Sequence, residues 1–104
     1  MIKTTMLLPV RYNNGRLIPR SAWRALHQQL VLAFGGFSWR PGVRGTWVAD
    51  ERTYHDVNRE CGVSLTSWRE LPTWLFIVEW ALERFDQEAV YIEVGGIPEI
   101  LHRT

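Results

Sequence analysis

The sequence predicts an α+β sandwich, an antiparallel sheet with two helices on one face. Three observations lead there. Trp23, Leu26, Leu30, Ala33 and Phe34, and later Leu75, Val78, Leu82 and Phe85, recur at helical spacing and mark two amphipathic helices. Between and around them lie β-rich stretches punctuated by glycine and proline. The resulting order, β-α-β-β-α-β, is two β-α-β halves, which close into one sheet with both helices on the same side. At 104 residues the chain is one domain. A chain of that size buries roughly 65% of its unfolded surface, enough for a core without staples.

Each element has a local reason. "KTTMLLPV" (3–10) is β-branched and then apolar, closed by proline, and reads as a first strand. Asn13-Asn14-Gly15 marks a turn. Pro19 and Ser21 announce the first helix, as a first-turn proline or an N-cap serine. Gly35-Gly36 follow Phe34 at once and predict a left-handed cap at the carbonyl end. "TWVAD" (46–50), "DER" and "TYHDV" (53–57) read as a β-hairpin, interrupted by "NRECG" (58–62), where Gly62 signals a bulge. "VSLTS" (63–67) resumes the extended pattern. Ser67 and Glu70 have capping-box spacing, but Pro72 moves the expected start of the second helix to 72, after a turn at 67–71. That helix runs to 88, the last strand is 89–94, and "IPEILHRT" is a tail forming a short strand or turn.

This pattern is that of the ferredoxin-like sandwich. "FGG" after the first helix, "GxW" in the hairpin, "YHD" on its return and "FDQEAVYIEV" from second helix to last strand resemble small bacterial ferredoxin-like proteins. The resemblance covers most of the chain. It implies a fold and a tendency to pair, and carries no catalytic residue with it.

Charge is unevenly spread. Residues 1–49 hold seven cations and no acid, a charge of +7; residues 50–104 hold five arginines and eleven acids, 5 − 11 = −6. Such asymmetry points either to mutual neutralisation within the fold or to a polyanionic partner. One cysteine, Cys61, excludes an internal disulfide and fits a reducing, cytoplasmic setting. The N-terminus lacks the apolar run of a signal peptide, and "WLFIV" (74–78) is too short to span a membrane.

Strand alternation places Tyr54, Asp56, Tyr91 and Glu93 on the uncovered face of the sheet, where two carboxylates beside two phenols suit acid–base work. The alternative is that they are the polar residues of a wet or self-pairing sheet. "FGGFSWRPGVRGTW" (34–47) holds a second candidate, a ligand-binding group of Arg40, Arg44, Trp39 and Trp47 suited to an anion. Its glycines follow a helix instead of leading into one, so it is no phosphate loop. Phe76 and Trp80, four apart and off the core stripe, are candidate partner contacts. His27, His55, His102 and Cys61 lack zinc-site spacing, so neither metal nor cofactor is expected. Cys61 shares the inward phase of Val57 and reads as an inert thiol.

Three functional readings follow. The first is a non-enzymatic, self-associating module binding an acidic protein or a small anionic ligand. The second is a small cofactor-free enzyme using the open sheet face. The third, weakened by the near-neutral net charge, is a nucleic-acid or nucleotide binder using the basic half.

Overall fold

The computed structural model describes residues 1–104 apart from the side chains of Trp47 and Ala49. The chain forms β1 (Ile2–Pro9), α1 (Arg20–Phe34), β2 (Ser38–Ala49), β3 (Arg52–Leu65), a 3-10 turn (Trp68–Glu70), α2 (Leu71–Arg84), β4 (Ala89–Val94) and β5 (Ile97–His102). The strands lie in the order β2-β3-β1-β4-β5, every neighbouring pair antiparallel. This is the ferredoxin-like sandwich, and the tail adds its fifth strand beside β4. Among the described residues no helix is long and apolar enough to cross a membrane.

The first helix ends where its glycines require. Gly35 takes φ +79° and its N–H donates to the Val31 carbonyl at 2.8 Å. Its start is less decorated than the sequence suggested. Pro19 occupies the N-cap position, Ser21 lies inside the first turn, and no side chain caps the helix. The second helix stops at Arg84 and not at 88. Asp86 adopts φ +51°, its N–H donates to Glu83, and that of Gln87 donates to Leu82 at 2.8 Å. This is a Schellman closure with aspartate where glycine is usual. At the other end Ser67 Oγ accepts from the Arg69 N–H, which confirms the turn before the helix. Glu70 reaches back to Thr66, accepting from its N–H and its hydroxyl.

The hairpin is longer than expected. β3 runs through 58–62 without a break, because β1 pairs with it continuously from Ile2↔Leu65 to Pro9↔Asn58. Gly62 is therefore not a bulge. The irregularity falls on β2 between Arg40 and Val43, where Pro41 lacks an N–H and Gly42 takes φ +71°. Residues 52–56 of β3 pair with β2 alone, so the hairpin projects beyond β1 and the molecule extends 40 Å along its long axis. Its two-residue turn, Asp50-Glu51, has positive φ at both positions, as a type I′ turn requires.

The core lies between helices and sheet. Met6, Leu8, Cys61, Val63, Leu65, Val90 and Ile92 meet Trp23, Leu26, Leu30, Val78, Leu82 and Phe85. Phe34 and Leu75, expected inside, are half-buried at its rim. Trp74 and Ile77 are buried in their place. Residues 74–78 are all apolar, so periodicity leaves the rotation of this helix open, and the largest ring turns inward.

Candidate functional site

The register arranges the uncovered face in two adjacent rows. One runs Arg40–Glu60–Leu7–Tyr91–Ile100 across the five strands, and the next runs Ser38–Gly62–Thr5–Glu93–Pro98. The middle of the second row is small. Gly62 has no side chain, and a Cβ added there would lie 2.9 Å from Ser38 Oγ. Thr5 beside it is only 7% exposed although no helix covers this face. Ser38 Oγ and Thr5 close over Gly62, and half-buried Leu7 lies between Glu60 and Tyr91, so the middle of the face is a shallow patch bordered by Glu60, Tyr91 and Glu93.

The borders are polar and mutually fixed. Tyr91 donates its hydroxyl to Glu93 Oε1 at 2.7 Å. That bond, with some burial and the carboxylate's charge, raises the Tyr91 pKa above its ordinary value of 10.0, so the phenol is a standing donor at neutral pH. Across the patch Arg40 Nη2 donates to Glu60 Oε2 at 3.1 Å, an ion pair joining the basic and acidic halves of the chain. Glu60 is paired with Arg40, and Lys3, two residues along β1 from Thr5, shares this face, so the two carboxylates are met by two cations and Glu93 is the one bonded to a neutral group. Tyr54 and Asp56 share the alternation of Glu60 but lie towards the hairpin tip. Asp56 is six residues along β3 from Gly62, the residue in Glu93's row, or roughly 20 Å at about 3.3 Å per residue. The four residues expected to gather thus fall into two pairs within one chain, while Glu60, Gly62 and Thr5 were not anticipated. Carrying the alternation of β3 past Asn58 would have found Glu60; reading an interruption at 58–62 hid it.

The arginine–tryptophan group divides as well. Trp39 pairs with Cys61 and so takes the helix-side phase, whereas Arg40 takes the open one. The bulge then returns Arg44, paired with Val57, to the phase of Trp39. Trp47's side chain lies outside the described residues. The neighbour of Trp39 is a residue not singled out in sequence, Arg59, whose Cζ lies 4.6 Å from the Trp23 ring centroid and 5.2 Å from that of Trp39. His27 stacks on Phe37 at 4.4 Å beside them. Phe76, 68% exposed, and Trp80 line one groove of about 240 Å³ with Glu79, Glu83 and Arg103. Cys61 is buried in the core, and burial pushes its thiol up to about 12, as an inert cysteine requires. Among the described residues no three His, Cys, Asp or Glu side chains are grouped to hold a metal.

No protein-family model and no curated protein sequence matches the chain. Its fold does recur among solved structures. A phage SAM lyase in complex with S-methyl-5'-thioadenosine superposes with a TM-score of 0.71 at 8% identity, over 97% of this chain and 88% of the lyase. The divalent cation tolerance protein Cut A1 from Thermus thermophilus does so with 0.57 at 14%, over 100% and 84%. CutA from Synechococcus elongatus gives 0.60 at 11%, over 94% and 79%. At these identities the likeness defines the fold and leaves activity to the site.

Proposed function

We propose that the protein is a self-associating module that holds a small cationic ligand in the open-face patch between Glu60 and the Tyr91–Glu93 pair. The observation that carries this reading is the small-residue patch bordered by two carboxylates and a hydrogen-bonded phenol. A glycine in a central strand allows close approach by another group, and here Ser38 Oγ makes that approach and keeps the patch beside Glu93 low. A positive group about 4 Å from one carboxylate gains about 4 kcal/mol at an effective dielectric of about 20. The phage lyase of the same fold, solved with S-methyl-5'-thioadenosine, suggests which cation to try first: an adenosyl sulfonium. Self-association is part of the reading. The projecting hairpin exposes Val48 and Val57, and a second copy's hairpin is the route by which Tyr54 and Asp56 can reach the patch.

Titration calorimetry with S-adenosylmethionine and with S-methyl-5'-thioadenosine tests the proposal, alongside sedimentation of the free protein. The sulfonium is expected to bind more tightly than the neutral thioether, and Glu93→Gln to remove that preference. Equal binding of the two, or none, sinks it. Chromatography of the same mixtures decides between module and enzyme. Release of the thioether, which requires breaking the bond from sulfur to the amino-acid arm, would make the patch a catalytic one.

A further inference from the structure

We propose that Arg59, with Trp39 and His27, forms a second binding site on the helix side of the sheet, for a carboxylate carried on a flat ring. Three observations meet there. The first is a cation without an anion. Arg59 is half-buried over the indoles of Trp23 and Trp39, yet among the described residues no carboxylate pairs with it and none of its side-chain N–H donors has a hydrogen-bond partner. Its neighbour Glu60 points to the opposite face, where Arg40 holds it. A guanidinium fixed by stacking presents its edge as a rigid fork that suits two oxygens at once. The second is an orphaned atom. His27 Nε2 is buried without a hydrogen-bond partner, a situation rare enough in folded proteins to call for a missing one. Burial and then the charge of Arg59 lower the His27 pKa, so the ring is neutral, and in the tautomer protonated at Nε2 it can donate to an anion. The third is a wall. Trp39 remains 46% exposed beside the guanidinium, apolar ring surface that a flat group can cover.

The chemistry is the reverse of that across the sheet. Glu93, bonded to a neutral phenol, suits a cation, whereas this side offers a cation and a neutral donor with no carboxylate bonded to either among the described residues. The indoles also exclude water from one side of the guanidinium, which strengthens its attraction for an anion. A carboxylate on an aromatic ring uses all three parts. A phosphate ion would use the fork and the donor but leave the wall uncovered.

The probes are benzoate, its neutral isostere benzamide, and inorganic phosphate, followed by tryptophan fluorescence and by the ring resonances of His27. Benzoate is expected to bind in the millimolar range or tighter and to move the His27 signals, with benzamide weaker by about tenfold or more. Arg59→Lys, which keeps the charge but loses the fork, is expected to weaken benzoate by about tenfold. Trp39→Ala is expected to erase the advantage of benzoate over phosphate, and Leu32→Ala, at an exposed position of α1, to leave both affinities unchanged. If an Arg59 variant fails to fold, the His27 signals of the unaltered protein still decide. Saturable shifts with benzoate and not benzamide support the site. The absence of any shift, equal shifts from both probes, or unchanged benzoate binding in Arg59→Lys overturns it.

Discussion

Leu82→Ala is the sharpest test of how α2 sits on the sheet. Leu82 is 0% exposed and lies in the α2 turn that packs into the core. Truncation removes three carbon atoms, about 2.4 kcal/mol at about 0.8 per buried carbon group. If roughly 40 Å³ of the vacated space stays empty, the cavity adds about 1 kcal/mol at ~24 cal/mol per Å³. The sum, about 3.4 kcal/mol, lies inside the range of about 2–5 observed for such changes. Against a total stability of about 5–15 kcal/mol it is a large fraction. At about 4–8 °C per kcal/mol it lowers the midpoint by more than about 12 °C. Leu32→Ala supplies the comparison, since Leu32 lies on α1 and is 78% exposed. It is expected to change stability by less than about 0.5 kcal/mol. Urea titrations of both variants, with the slope held constant, measure the difference. An unmoved midpoint in Leu82→Ala, or equal losses in the two, would show that the helices present other faces to the sheet.

Three further outcomes follow from single residues. Cys61, with its thiol pushed up to about 12 in the core, is expected to resist a disulfide reagent at neutral pH in the native protein and to react fully once denaturant is added; rapid native labelling would contradict its burial. Glu51 holds φ +62° in the hairpin turn, where a side chain costs about 1–2 kcal/mol. Glu51→Gly relieves that strain but frees the unfolded chain, for a net gain below about 1 kcal/mol, read as slower amide exchange across Val48 and Thr53. The Thr66 hydroxyl and N–H both donate to Glu70 and hold its carboxyl below the usual 4.5. A depressed carboxylate stabilises above its unfolded pKa and loses that contribution as pH falls through the lower folded value. Glu70→Gln is therefore expected to be less stable than the parent at neutral pH and to converge with it in acid; a constant gap across that range would refute the assignment.

Much of the architecture was legible because backbone punctuation is local. Gly35 could end α1 only as a left-handed cap, and 89–94 is a strand in the structure as in the sequence. What escaped was set by partners distant in the chain. Nothing within "NRECG" shows that β1 will pair along its whole length and carry β3 through it as continuous strand. Nothing within 74–78 says which of five adjacent apolar residues turns inward, because that depends on the shape of the sheet below. Asp86 closing α2 is a third case: aspartate tolerates positive φ, but the geometry is chosen by the Leu82 and Glu83 carbonyls waiting for donors.

The site obeys the same division, with a sharper consequence. Residues adjacent in sequence, such as Trp39 and Arg40, look like one chemical group and are in fact delivered to opposite faces of the sheet. Each then finds a partner from β3 that is also one of an adjacent pair: Arg59 stacks with Trp39, and Glu60 bonds to Arg40. Two neighbouring dipeptides in register, each with one residue up and one down, thereby make a cation-rich side and an acid-bearing side from the same two strands. Pairing β2 against β3 neutralises charge on the open face, where Glu60 meets Arg40, and leaves Arg59 uncompensated on the other. A slip of one residue in β2 would bring Arg40 to the face of Arg59 and carry Trp39 to the face of Glu60. The bulge between Arg40 and Val43, by keeping the register of residues 38–40 independent of the hairpin tip, holds the two chemistries apart.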